Sequence, residues 1–304
     1  MLESASSSDP DPVPGARAPA RSRFARYVSL TRLDKPIGIA LLLWPTLDAL
    51  WLAARGWPGV LLTAVFTVGT VLMRSAGCAI NDVADRRFDA HVQRTSGRVL
   101  ARGEIAVWEA LAVAAVLAAC AGLTLPLLHP ATVPLALVAV AISATYPYLK
   151  RFFPMPQAYL GIAFSFGIPM AFAAVLGYVP ARAWLLLCAN LFWVIAYDTE
   201  YAMVDRRDDV RIGIRSSAIL FGRADVLAVA SCYAIYLGML AALARSEQLG
   251  WIFALGWVGA LTCAIVHVEW IRGRDPQLCF RAFRHNHWLG LSIFAGIVGD
   301  FALR

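Results

Sequence analysis

Runs of roughly twenty residues without a charge, separated by short segments that gather Arg, Asp, Pro and Gly, recur along nearly the whole chain. A bilayer core is ~30 Å thick and a helix rises ~1.5 Å per residue, so each run has the length of one transmembrane helix. The pattern predicts nine such spans, at 37–54, 58–80, 106–125, 131–149, 156–177, 182–203, 224–244, 250–270 and 287–303. Residues 1–25 are rich in Ser, Pro, Ala and Asp and hold no apolar run, which reads as a disordered cytosolic tail rather than a signal peptide. Residues 26–304 read as one membrane domain, and the expected fold class is all-α integral membrane.

Composition agrees: 60% of the residues are hydrophobic and 15% charged, against ~25% charged in soluble globular proteins. The placement of the charges adds orientation. Of 27 Lys and Arg, 22 fall in the N-terminal flank and in the loops after spans two, four, six and eight, and only Arg55, Arg182 and Arg245 fall in the alternate loops. The positive-inside rule then puts the N-terminus and those four loops in the cytoplasm and the C-terminus outside. Orientation in a cell inner membrane thus accounts for the net charge of +7, so no nucleic-acid partner is implied, and no obligate protein partner is inferred. The six cysteines (Cys78, Cys120, Cys188, Cys232, Cys263, Cys279) show no Cys-x-x-Cys spacing and read as small buried residues, without a disulfide framework or zinc site.

Eight of the 20 acidic residues lie in two windows, 81–89 and 198–209, each at the cytoplasmic end of a span. On a helix, Asn81, Asp85 and Asp89 repeat at i, i+4, i+8 and share one face, and Asp205 and Asp209 repeat that spacing. Carboxylates so placed repel one another unless a cation lies between them. Mg²⁺ suits them, because it binds through one or two carboxylates plus substrate phosphates, and two such faces would clamp one diphosphate from both sides with nearby Arg and Lys as further donors. Either window alone is more simply a solvated face; the matched pair points to chemistry. A secondary transporter would carry its acids near the bilayer midplane, not at helix ends flanked by arginines. A membrane CDP-alcohol phosphotransferase would need an Asp-Gly-x-x-Ala-Arg segment, and the chain has none.

The first window, an Asn-Asp-x-x-Asp-x-x-x-Asp pattern (Asn81, Asp82, Asp85, Asp89), and the second, Asp-x-x-Tyr-x-x-x-Asp (Asp198, Tyr201, Asp205) followed by Asp208, Asp209, Gly213 and Ser216, resemble the motifs of the UbiA superfamily of intramembrane prenyltransferases. The likeness extends through Arg32, Asp34, Lys35, Pro36 and Gly38, through Trp44, Pro45 and Thr46, through His91, Arg94 and Thr95, through Tyr146, Lys150 and Arg151, and through Gly167, Pro169 and Phe172. Over residues 26–302 it is greatest to the 4-hydroxybenzoate polyprenyltransferases of ubiquinone biosynthesis. The resemblance implies nine helices around a central cavity under a cytoplasmic cap of two Asp-rich loops. It also implies Mg²⁺-dependent transfer of a polyprenyl group from polyprenyl diphosphate, supplied from the lipid bilayer, to the ring carbon ortho to the hydroxyl of 4-hydroxybenzoate. Dihydroxynaphthoate and homogentisate are the rival acceptors.

By the same resemblance the metal set comprises Asn81, Asp82, Asp85, Asp89, Asp205, Asp208 and Asp209. Substrate would be bound by Arg74, Asn81, Arg94, Lys150, Arg151, Tyr201 and Arg215, with Arg74 holding the acceptor's carboxylate, and the catalytic set is Asp198, Arg74 and Tyr146. Two positions depart from the pattern: Arg215 replaces a common Lys, and Asp48 stands where relatives carry Trp. An acid inside a span implies a polar cavity or a nearby cation, and Asp300 in the last span has no assigned role. A prenyl cation must be kept from water, and Phe152, Phe153, Phe164, Phe166, Phe172 and Tyr197 are candidates to face it, though any one of them could equally be packing. Trp51, Trp57, Trp184, Trp251 and Trp257 read as interfacial belt residues, and the five histidines as loop or interface residues. Arg74 within an apolar span is a functional candidate rather than a snorkelling side chain.

Overall fold

The computed structural model describes residues 22–92, 94–149 and 151–304, and among them the secondary structure is entirely helical. The helices are α1 (Arg23–Leu30), α2 (Ile37–Ala54), α3 (Val60–Asp89), α4 (Val107–Gly122), α5 (Thr132–Leu149), α6 (Pro156–Ser165), α7 (Gly167–Leu176), α8 (Ala181–Ile212), α9 (Ser217–Phe221), α10 (Asp225–Ser246), α11 (Trp251–Ile271) and α12 (Pro276–Ala302). Eight helical segments are long and apolar enough to cross a bilayer, with α6–α7 and α9–α10 each forming one of them, so the chain is a multi-pass membrane protein. The ninth expected span, α12, is a 27-residue helix whose first half carries Arg281, Arg284, His285 and His287. Most of the tail expected at 1–25 lies outside the described residues. Its last residues are helical, because α1 already begins at Arg23, where the Ser22 hydroxyl accepts from the Ala25 N–H at 3.2 Å.

The two longest helices carry the acidic windows. α3 has 30 residues and α8 has 32, about 45 and 48 Å at 1.5 Å per residue, or ~15 Å more than a bilayer core. Charges made these spans seem to end at 80 and 203, but charge does not break a helix. Arg86 and Arg87 in the last turn of α3 complement the negative end of its dipole. α8 continues until Gly213 adopts a left-handed conformation (φ 74°) and donates its N–H to the Asp209 carbonyl. The acids expected on two cap loops therefore stand on helix ends instead. A different break divides α6 from α7: Pro169 has no N–H to continue the ladder, and the chain turns at Phe166.

Contacts run from α2 to α3, α5, α6, α8 and α12 and back to α2, closing a ring, with α4 packed on α3 and reaching the cavity wall through Ala118, Ala121 and Gly122, and α10 and α11 outside on α8 and α12. Small residues permit the closest crossing. A methyl on Gly256 of α11 would stand 2.8 Å from the Gly296 Cα of α12, so the two backbones touch. Asp300 gains its role here, accepting the Gly250 N–H at the start of α11 at 2.7 Å and pairing with Arg304 at 2.7 Å. Asp48 does not meet its expectation: it is buried, its Oδ1 lacks a hydrogen-bond partner, and no cation pairs with it among the described residues. Nothing in the structure explains it. Trp51 is buried against Phe294 rather than interfacial, whereas Trp57, Trp184 and Trp251 are exposed. His267 is likewise interior, not peripheral, and joins a buried network with Tyr233, Glu200 and Asn286. All six cysteines are free.

Candidate active site

The ring encloses a cavity of about 1050 Å³. The overrunning end of α3 contributes Asn81, Asp82, Asp85 and Asp89 to its wall, and α8 contributes a stripe of Tyr197, Asp198, Tyr201, Asp205 and Asp209, spaced so that one helix face looks inward. Arg94, Thr95 and Arg98 enter from the loop at 90–106, and Arg215 and Ser216 from the segment after α8. Arg74 precedes Asn81 by seven residues, about 10 Å deeper along α3, and Tyr146 of α5 also lines the wall.

Arginines from the loop bind the acids of both helices. Arg94 Nε lies 2.9 and 3.0 Å from the two Asp205 carboxylate oxygens, its Nη1 donates to the Tyr201 hydroxyl, and its guanidinium sits over the Tyr201 ring at 4.3 Å. Arg98 donates to Asp89 at 2.7 Å and pairs with Asp82 at 3.1 Å. Arg32, before α2, takes both oxygens of Asp82 at 2.8 and 2.9 Å. The Thr95 hydroxyl donates to the Asp89 carbonyl at 3.0 Å and fixes the loop to the helix it follows. The α3 and α8 acids are thus tied to one loop, on one side of one cavity.

Not every expected residue joins them. Arg151 and Asp208 stand outside the lining. Arg151 donates to the Ala84 carbonyl at 3.2 Å, bracing the α5–α6 connection against α3. Lys150 lies outside the described residues. Arg215 does line the cavity and donates to the Phe152 carbonyl at 2.6 Å. Of the candidate aromatics, Phe164, Phe166 and Tyr197 line the cavity, whereas Phe172 is packed in the core and Phe152 and Phe153 point outward, 62% and 39% exposed. Asp82, expected among metal ligands, is 1% exposed with both oxygens engaged by arginine. Arg32 and Arg98 are the site residues the sequence reading did not single out. Arg32 stood there within a matching segment but with no site role, and Arg98 only as one more basic residue in a loop.

Among the described residues no three His, Cys, Asp or Glu side chains stand close enough to share an ion. A Mg²⁺ site that uses one or two carboxylates per ion, with phosphate and water completing the shell, needs no such cage. The donors present, all carboxylate or amide oxygens on two facing helices, have the hardness that ion requires, and the set fits it.

These features can be set beside known proteins. The pattern of the UbiA prenyltransferase family matches residues 42–290. A 4-hydroxybenzoate octaprenyltransferase of Burkholderia vietnamiensis is 56% identical over 280 residues, covering 92% of this chain and 97% of that protein. The apo structure of a UbiA homolog from Aeropyrum pernix K1 superposes with a TM-score of 0.76 at 27% identity, over 86% of this chain and 97% of that one. A UbiA homolog from Archaeoglobus fulgidus bound to GPP and Mg²⁺ shares the fold, with a TM-score of 0.67 at 17% identity over 90% and 99% of the two chains. With most of its length matched by the family pattern and by a relative of this identity, the chain belongs to the UbiA prenyltransferase family.

Proposed function

We propose that this protein transfers a polyprenyl group from polyprenyl diphosphate to the ring carbon ortho to the hydroxyl of 4-hydroxybenzoate, with Mg²⁺, in ubiquinone biosynthesis. The observation that carries the reading is the convergence of two acid-bearing helix ends and a cluster of arginines on one end of a cavity whose deeper wall holds Arg74. In this assignment Asp85 and Asp89 of α3 and Asp205 and Asp209 of α8, with Asn81 beside them, hold Mg²⁺. Asp82, 1% exposed and paired with both Arg32 and Arg98, is the least accessible of these acids, whereas Asp89 and Asp205 are each paired with one arginine, Arg98 and Arg94. When bound, the metal supplies charge withdrawal from the diphosphate, which favours heterolysis of the allylic C–O bond. Arg94 and Arg215 offer guanidinium donors at the same end, and Lys150 and Arg151 are assigned to the diphosphate by the family pattern alone.

Arg74 takes the acceptor's carboxylate, and that contact orients the ring toward the allylic carbon. Phe164, Phe166 and Tyr197 exclude water from the path of the cation and offer it their electron-rich faces. Asp198, a carboxylate on the inner stripe of α8, and Tyr146 of α5 complete the catalytic set with Arg74. The membrane is the cell inner membrane, with the N-terminus and the acid-bearing ends cytoplasmic and nine spans in all, as the Lys and Arg distribution supports. A membrane assay with labelled 4-hydroxybenzoate and a polyprenyl diphosphate, with and without Mg²⁺, tests the whole. We expect product only with the metal, and a loss of a hundredfold or more in Asp85→Ala and Asp205→Ala, on the order of other losses of electrostatic stabilisation. Normal rates in those variants would refute the site, and product from dihydroxynaphthoate or homogentisate in place of 4-hydroxybenzoate would refute the acceptor.

A further inference from the structure

The Arg74 guanidinium reaches from α3 to rest directly against α2. A Cβ built on Gly38 of α2 would lie 2.8 Å from Nη2, 3.1 Å from Nε and 3.3 Å from Cζ of Arg74, the first inside the 3.0 Å limit that real Cβ atoms respect. Since Cζ is the farthest of the three, that position lies off the Nε–Nη2 edge of the guanidinium rather than over its flat face. On its other flank Nη1 is 2.6 Å from Cys78 Sγ, and Cζ is 5.7 Å from the centre of the Phe164 ring. Nε is buried without a hydrogen-bond partner. Gly38, Arg74, Cys78 and Phe164 all line the cavity.

The backbone gives no reason for glycine at 38. It is the second residue of α2 and is not among the glycines with positive φ, so alanine would suit the helix better. The reason lies across the cavity wall: only a residue without a side chain lets the guanidinium rest against α2. We infer that Gly38 is a specificity-determining position, whose missing side chain sets the depth at which Arg74 meets an aromatic acid. This rests on the assignment of Arg74 to the acceptor's carboxylate. A methyl group at 38 pushes the guanidinium toward Cys78 and Phe164 or out into the cavity, and in either direction it misaligns the carboxylate contact without touching the acids that serve the diphosphate.

The test uses the full chain in membranes and compares Gly38→Ala, Gly38→Ser, Arg74→Ala and the double variant Gly38→Ala/Arg74→Ala. For each, the KM for 4-hydroxybenzoate, the KM for polyprenyl diphosphate and the inhibition constants of unreactive benzoate and neutral benzamide are measured. In Gly38→Ala we expect the acceptor KM and the benzoate constant to rise roughly threefold to tenfold, since the guanidinium must give way by a fraction of an ångström, less than the ~1 Å misplacement that costs about a hundredfold. The benzamide constant and the diphosphate KM should hold. In the Arg74→Ala background, Gly38→Ala should leave the benzoate-to-benzamide ratio unchanged, the signature of two residues acting through one contact. If Gly38→Ala keeps the wild-type ratio while Arg74→Ala abolishes it, the inference about Gly38 falls and the Arg74 assignment stands. If Arg74→Ala itself keeps the ratio, the Arg74 assignment falls and takes the inference with it. If Gly38→Ala weakens benzoate and benzamide equally, the residue is a packing element and the inference is overturned.

Discussion

Arg98 sits between two carboxylates of one helix, Asp82 at 3.1 Å and Asp89 at 2.7 Å, while Arg32 closes on Asp82 from the N-terminal side. Burial works against the Arg98 charge, but Asp82 and then Asp89 more than reverse it, so its pKa is raised above the ordinary arginine range and it stays charged wherever the protein is folded. Removing one partner of a buried ion pair strands the other, which costs about 3–5 kcal/mol. Arg98→Ala should therefore lower the unfolding temperature in detergent markedly, and Arg98→Lys less, because a lysine keeps the charge but cannot fork between two acids. A wild-type melting temperature in Arg98→Ala would show that the cluster adds nothing to stability. The sequence exposed the acids of this cluster through their helical spacing. It did not expose the pairing, because Arg98 lies nine residues beyond Asp89 in a loop whose return toward α3 depends on tertiary structure, including the Thr95 hydroxyl bond to the Asp89 carbonyl. Asp82 was therefore placed in the metal set by its motif, without its arginine partners in view.

α8 shows how one helix serves two environments. Its inward stripe carries Tyr197, Asp198, Tyr201, Asp205 and Asp209, and Glu200, turned the other way, is fully buried and does not line the cavity. Glu200 accepts from the Tyr233 hydroxyl of α10 at 2.8 Å and from the Asn286 amide of α12 at 2.8 Å, and Asn286 in turn accepts from Trp193 Nε1 of α8 at 2.8 Å. Three helices are thereby locked in rotation, and that lock keeps the stripe aimed inward. Glu200→Ala removes an acceptor shared by Tyr233 and Asn286, which keep Asn286 Oδ1 and the Ala282 carbonyl, each at 3.0 Å, so we expect a loss of about 1–3 kcal/mol, read from denaturant or thermal unfolding. Glu200→Gln, with an oxygen and a donor in the same place, should lose about 1 kcal/mol, close to the worth of one ordinary hydrogen bond. Equal losses in the two variants would mean that the side chain fills space and orients nothing. The existence and order of the spans were readable because the demand for ~20 apolar residues leaves little latitude. Their ends were not, since α3 and α8 remain helical well past their first charges, and the acids moved with them from expected loops onto helix ends.

At the scale of the whole molecule, α12 decides how many times the chain crosses the membrane, because its polar first half separates it from the eight plainly apolar segments. Contacts at the far end of the bundle give the answer a structural basis. Arg182, at the start of α8, pairs with Glu247, just past the end of α10, at 3.1 Å. Three residues before α11, Gln248 accepts at its carbonyl from Arg304, and Gly250 donates its N–H to Asp300 near the end of α12 at 2.7 Å. The C-terminus is therefore level with the start of α8, and from Arg182 to Asp209 that helix rises about 40 Å at 1.5 Å per residue, more than a bilayer core. A chain end so far from the acids must emerge on the opposite face if α8 spans the membrane. With the six native cysteines replaced by alanine and single cysteines introduced at Ser96→Cys, in the loop beside the acids, and Leu303→Cys, an exposed position at the C-terminus, a membrane-impermeant maleimide should label the first only in inverted vesicles and the second only in right-side-out vesicles. Labelling of both from one face would remove the ninth span. It would leave the acid-bearing end of the cavity in the cytoplasm, since that orientation rests on the N-terminal flank and the loops after spans two, four, six and eight, all of which precede α12.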